Sequence, residues 1–293
     1  MDSHPPEDPP SISSRAQASE WEFDRPEVQH RLERTIRANR FTIAVVFPMV
    51  GGVVLILSAY GILPAPLAFN PGLILLGTLV MRSPLLVGLA PLFDRRAIAA
   101  IALLVGYTYV IEFIGVTTGY PYGHFQYEVT LGPMVQGVPL GLPLFFIPLV
   151  ANAYLLTILI APRLARYRRY RLPLALGLVM AIDLVLDPGA VALGFWTYLD
   201  GGVYYDVPIS NYMGWVLSGL IAIGLLELAF DFSELLDRVA ECEFILDDLI
   251  SFIILWGGIN LIFGHVTPVL IALGMLIGLL STWRYIDVRR SIW

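Results

Sequence analysis

Four carboxylates interrupt otherwise apolar stretches of this 293-residue sequence: Glu112, Asp183, Asp187 and Glu227. An acidic side chain at the centre of a hydrocarbon-embedded helix costs about 2.5–3.5 kcal/mol on insertion scales, so each one needs a partner or a task. Asp183 and Asp187 are four residues apart, which puts both on one helix face about 5.4 Å from each other. Pro188 follows at once, so a kink or opening is expected there, with backbone groups freed toward a cavity. Glu112, Asp187 and Asn211 fall at a similar depth near the same ends of their apolar blocks. The segments over that level are crowded with rings: Tyr120, Tyr122, His124, Phe125 and Tyr127 in one, Phe195, Trp196, Tyr198, Tyr204 and Tyr205 in the other, then Tyr212 and Trp215.

Carboxyls among rings suit acid-initiated chemistry on an unactivated carbon–carbon double bond. A carboxyl in a low-dielectric site keeps its proton at neutral pH and is a proton donor. Aromatic faces stabilise the resulting carbocation by about 0.5–2 kcal/mol per desolvated ring. A second carboxylate then orients or deprotonates the attacking water. Plainer uses compete with this one. Asp183 and Asp187 also suit hydrogen bonding between helices, and the rings suit a belt at the membrane interface. Glu227, near the inner end of its block, reads as structural. His124 and His265 lack ligand spacing and Cys242 is the single cysteine, so no metal is expected.

The elements that must hold these residues are transmembrane helices. Hydrophobic residues make up 57% of the chain, charged residues 14%, and the mean hydropathy is +0.73, which excludes an ordinary soluble domain. Each apolar block is close to the roughly 20 residues that a helix needs to cross the bilayer. The expected fold class is all-α, a polytopic transmembrane helix bundle of about eight spans: 41–62, 70–92, 97–117, 138–161, 172–194, 209–230, 245–263 and 266–283. The last two rest on Gly264-His265 as a turn and on Pro268 in the next helix's first turn, where proline is tolerated. Residues 1–20, rich in Pro, Ser and acids, read as a disordered tail. Residues 21–40 read as a cytoplasmic juxtamembrane helix with Arg25, Arg31, Arg34, Arg37 and Arg40. Residues 41–293 then form one transmembrane bundle, its functional core at about 97–230.

Charge fixes the orientation. All 18 basic residues are arginine, and with both termini cytoplasmic the inner segments collect Arg95, Arg96, the run from Arg163 to Arg171, Arg238 and Arg284 onward, leaving the outer loops with none. Arg82 lies inside the second span, where it snorkels or pairs with a carboxylate. A net charge of −6 argues against nucleic acid as a partner. Membrane lipid is the expected surroundings, in a multi-pass protein of the cell membrane.

The motifs Glu112 with Ile114-Gly115, Thr118-Gly119-Tyr120-Pro121-Tyr122-Gly123-His124, Leu131-Gly132-Pro133 and Gly137-Val138-Pro139 resemble those of the membrane-embedded carotenoid hydratases, the bisanhydrobacterioruberin hydratase type of archaeal pigment synthesis. So do Asp183-Leu184-Val185-Leu186-Asp187-Pro188, Trp196, Gly201-Gly202, Pro208-Ile209-Ser210-Asn211-Tyr212 and Gly214-Trp215. The resemblance covers about residues 105–230, in order and without a large gap. Tyr198 stands where a second Trp is expected and Tyr122 where Phe is commoner; the polar set is intact.

The resemblance implies addition of water to the terminal double bond of a linear carotenoid, giving a tertiary alcohol without a cofactor. The partners are then the linear carotenoid substrate and water. Asp183, Asp187 or Glu112 is the acid, with Asp187 the first choice, and a carboxylate with Asn211 positions water. Tyr120, Tyr122, His124, Trp196, Tyr205, Tyr212 and Trp215 are the expected substrate-binding residues. Two alternatives use the same carboxyls: a carotenoid cyclase or isomerase, which omits the water, and a proton-coupled transporter.

Overall fold

A computed structural model describes the backbone of residues 25–290 and side chains as far as Thr282. The tail expected over 1–20, and the start of the juxtamembrane segment, lie outside the described residues. The helices are α1 (Arg25–Phe41), α2 (Phe47–Ala59), α3 (Pro71–Leu89), α4 (Arg95–Thr118), α5 (Leu142–Ile160), α6 (Pro162–Ala165), α7 (Arg168–Leu193), α8 (Ile209–Ala229), α9 (Phe232–Glu241), α10 (Asp247–Ile262) and α11 (Val266–Arg290). Four short strands lie in the loops: β1 (Phe125–Tyr127), β2 (Met134–Val135), β3 (Val138–Pro139) and β4 (Trp196–Tyr198).

Among the described residues, six helices are long and apolar enough to cross a membrane: Arg25–Ala59, Pro71–Leu92, Arg95–Thr118, Leu142–Ile160, Arg168–Leu193 and Ile209–Ala229. The seventh and eighth expected spans appear as the separate helices α10 and α11, joined where Gly264 adopts φ +75°. The juxtamembrane segment is not set apart from the first span. A π-helical turn at Thr42–Val46 carries α1 directly into α2 as one continuous helix, which brings Arg40 to Asp247 (2.7 Å) and Glu33 to Arg238 (2.6 Å).

Local sequence sets the helix ends. Asn70 caps α3 by accepting from the Leu73 N–H, with Pro71 at the first position, and Asp94 caps α4 by accepting from Ala97. Gly119 and Gly194, at φ +75° and +74°, end α4 and α7 in the left-handed conformation that a side chain disfavours. α5 sits at the centre. Every residue from Pro148 to Leu159 is buried, as expected of a helix that is apolar all round.

The interior also holds two compensated ion pairs. Arg82 meets Asp248 at 2.6 Å, whose other oxygen accepts from Asn152 Nδ2 at 2.6 Å. Arg171 grips Glu227 through two N–H groups at 2.5 and 2.7 Å, and Tyr154 donates to the same carboxylate. Glu227 is thus tied to a cation near the C-terminal end of α8, and Arg82 takes the paired option.

The opening expected at Pro188 does not occur, because α7 runs unbroken to Leu193. Proline there lacks the N–H that would serve the Leu184 carbonyl, and the Tyr204 hydroxyl donates to that oxygen instead at 3.3 Å. A side chain from the following loop therefore satisfies the freed group and keeps the helix intact.

Candidate active site

The site is built where α4, α7 and α8 approach under the two aromatic loops. Asp183 and Asp187 project from the same face of α7, as their four-residue spacing requires, toward Asn211 in the first turn of α8. Asn211 Nδ2 donates to both: to Asp183 Oδ2 at 3.3 Å and, more closely, to Asp187 Oδ2. The Tyr198 hydroxyl adds a second donor to Asp187 Oδ2 at 3.2 Å. Glu112 comes from α4 and accepts from the Tyr127 hydroxyl. Asp183, Asp187 and Asn211 are 0%, 3% and 2% exposed.

Tyr127 and Tyr198 reach these carboxyls because the two loops are one structure. β1 and β4 pair antiparallel, with Phe125 opposite Tyr198 and Tyr127 opposite Trp196, so each strand hangs a tyrosine inward from the cap. Burial, reinforced by Glu112 beside Tyr127 and by Asp187 beside Tyr198, holds both phenols well above the ordinary tyrosine value. Each is therefore a hydrogen-bond donor at neutral pH.

Below the cap lies a cavity of about 370 Å³ with Glu112, Asp187 and Asn211 in its walls. Its other walls are mostly rings and aliphatic side chains, among them Tyr122, Trp196, Trp215 and Trp256. Asp183 is not part of the lining; it sits behind Asn211, and its Oδ1 is buried without a partner. Among the described residues, the ion pairs of the bundle engage Asp247, Asp248 and Glu227, and none reaches Glu112, Asp183 or Asp187. No three His, Cys, Asp or Glu side chains among them converge as a metal ion would require.

The expected site residues divide into two groups. Glu112, Asp187, Asn211, Tyr122, Trp196 and Trp215 meet at the cavity, with Asp183 one layer behind. Tyr122 is fixed there by Ser218 Oγ at 2.7 Å, which also meets the Tyr107 hydroxyl at 2.9 Å. Tyr120, His124, Tyr205 and Tyr212 lie outside its walls. Tyr120 is 65% exposed, and the exposed His124 ring covers Gly119. Tyr205 takes a left-handed φ of +51°, which turns it out onto His265, 4.3 Å away between ring centroids. Tyr212 packs on Tyr204 at 5.9 Å, its buried hydroxyl without a partner.

Residues 69–279 match the family described as carotenoid biosynthesis proteins. The chain belongs to this family. It is also 53% identical over 256 residues to bisanhydrobacterioruberin hydratase from Haloarcula japonica, with 87% of each chain covered. No solved structure matches the chain. The family match begins beside Asn70 and extends into α11, so it takes in both acidic walls of the cavity and every aromatic one but Phe47, and leaves outside the α2 side and Leu67 of the following connection.

Part of that enclosure escapes the motifs of residues 105–230. α2 contributes Phe47, Val50 and Val54, α3 contributes Leu73 to Arg82, and α10 contributes Ser251 to Trp256. Apart from Thr78, Arg82 and Ser251 these lining residues are apolar, and an apolar side chain facing a cavity is the same residue type as one facing lipid. Tyr127 and Tyr198 did carry a signal, since a hydroxyl among packed rings calls for a partner.

Proposed function

We propose that this protein is a carotenoid end-group hydratase of the cell membrane, adding water to the terminal double bond of a linear carotenoid such as bisanhydrobacterioruberin. The observation that carries this reading is the junction of two acidic helices at one apolar, ring-lined cavity: Glu112 from α4 and Asp187 from α7, with Asn211 of α8 donating to Asp187. The hydratase name of the Haloarcula japonica relative supports the same reaction.

Two charges in the walls of one apolar cavity, with no ion pair to either among the described residues, would repel each other in a medium that screens poorly. The neighbouring pairs Arg82–Asp248 and Arg171–Glu227 are compensated, and the Glu112 and Asp187 group is not. In the proposed cycle Asp187 holds a proton and delivers it to the less substituted carbon of the end-group alkene. A C–H bond forms, the π bond breaks, and the positive charge rests on the tertiary carbon. Trp196, Trp215 and Tyr127 surround that charge with aromatic faces, each worth about 0.5–2 kcal/mol where water is excluded. Water held by Glu112 and Asn211 forms the new C–O bond, and its surplus proton returns the carboxyl set to its starting state. The addition is redox-neutral, so the cycle calls for no redox cofactor. General acid assistance of this kind is typically worth about 10²–10⁴ in rate.

Expression in a host that accumulates bisanhydrobacterioruberin, with the pigments weighed by mass spectrometry, tests the reading. Hydration adds the mass of one water per end group. A cyclase or isomerase would leave the mass unchanged, and unaltered pigment would remove carotenoid chemistry from the account.

A further inference from the structure

The cavity is too small for the substrate that its chemistry calls for. At about 370 Å³ it lies at the low end of small-ligand pockets, enough for an end group and a short length of chain. A long linear polyene must leave it somewhere, and the exposure of the lining residues identifies where. Phe47, Val50, Leu67, Leu73 and Leu76 all line the cavity and are between 39% and 57% exposed. All five lie on α2, α3 or the connection between them. The lining residues from α4, α5, α7, α8 and α10 are buried or half-buried.

Resting on the hydratase reading, we infer that the cleft between α2 and α3 is a lateral portal, through which the polyene of a linear carotenoid enters from lipid and in which it stays while its end group reacts. The portal faces hydrocarbon and not water. Its five exposed residues are apolar, and both helices belong to segments of membrane-crossing length and hydropathy. From Asn70 to Arg82 the lining runs for about 18 Å along α3 at 1.5 Å per residue, so the cleft holds an extended chain along the helix and not a compact ligand. Its depth depends on Gly77, a lining residue at which an added Cβ would meet nothing within 4 Å. A side chain there grows into the cleft.

Gly77→Phe is therefore the test, and Gly106→Phe is its control. Gly106 is an exposed glycine of α4, outside the cavity, whose added Cβ also meets nothing within 4 Å. Replacing glycine within a helix favours the helix in both cases. Each variant and the unaltered protein would be produced in cells that accumulate bisanhydrobacterioruberin, purified in mild detergent and assayed for retained pigment by absorbance; hydration is measured separately by product mass. The expected result is pigment retained by the unaltered protein and by Gly106→Phe, and lost from Gly77→Phe together with its hydration. Equal retention in all three, or retention in none, overturns the portal. Pigment held in the expected pattern but never hydrated would leave the portal standing and refute the hydratase reading.

Discussion

Replacing Asp248 by asparagine should destabilise the protein without removing its chemistry, although Asp248's partner Arg82 lines the same cavity as the proposed acid. Arg82 is 7% exposed and Asp248 fully buried, with Nη1 to Oδ1 at 2.6 Å. Arg82 Nε already lacks a partner, so loss of the carboxylate strands a buried guanidinium. Breaking a buried pair from one side typically costs about 3–5 kcal/mol. At the few degrees per kcal/mol typical of domains of 150–250 residues, that lowers the unfolding midpoint by on the order of 10 °C. Replacing both partners together, Arg82→Met with Asp248→Leu, removes the stranded charge and should recover most of the loss. The assay is built into the chain. Cys242 is its single cysteine, 4% exposed, and burial pushes its thiol up to about 11; alkylation by a fluorogenic maleimide during heating therefore reports unfolding. If Asp248→Asn melts with the unaltered protein yet loses hydration, the division between a structural pair and a catalytic group is wrong.

Two further substitutions probe the site's supports. Asn211→Ala removes the one donor shared by Asp183 and Asp187 and leaves both Asp183 oxygens unpaired; at about 3 kcal/mol for lost hydrogen bonds to acidic groups, hydration should fall roughly a hundredfold in a protein that still inserts, as measured by product formed per amount of membrane protein. Gly214→Ala would set a Cβ only 2.4 Å from Tyr122 Cδ1 and 3.2 Å from Pro121 Cγ, displacing the ring that Ser218 holds; slower hydration with a lowered alkylation midpoint is expected, and Ala tolerated on both counts would show that the cap is not packed tightly against α8.

The acidic half of the site was legible because a carboxylate in an apolar block is costly enough to be conspicuous, and because a spacing of four fixes Asp183 and Asp187 on one face before any tertiary contact is known. The aromatic loops were legible as rings but not as partners: Tyr127 and Trp196 are brought together by strand pairing across the whole of α5 and α7, and nothing local in either loop encodes that register. Asp248 shows a second limit. It stands at the end of the acidic stretch that begins at Asp231 in the sequence, and only the packing of α3 and α5 against α10 reveals that it answers Arg82 and Asn152 inside the bundle. At Pro188 the inference from proline to an open helix missed the Tyr204 hydroxyl, which supplies the Leu184 carbonyl from outside the helix.

The most direct measurement is hydration by purified Asp187→Asn and unaltered protein in lipid nanodiscs, carried out in deuterium oxide with the linear carotenoid as substrate. Asparagine keeps the shape of the side chain and removes the proton that it would donate. The unaltered protein should yield a tertiary alcohol with one non-exchangeable deuterium on the carbon next to the carbinol, and Asp187→Asn should yield at least a hundredfold less, in line with the loss of a general acid, while melting within a few degrees of it. Full-rate, deuterium-labelled product from Asp187→Asn would contradict the proposed role of this carboxyl and move the acid elsewhere.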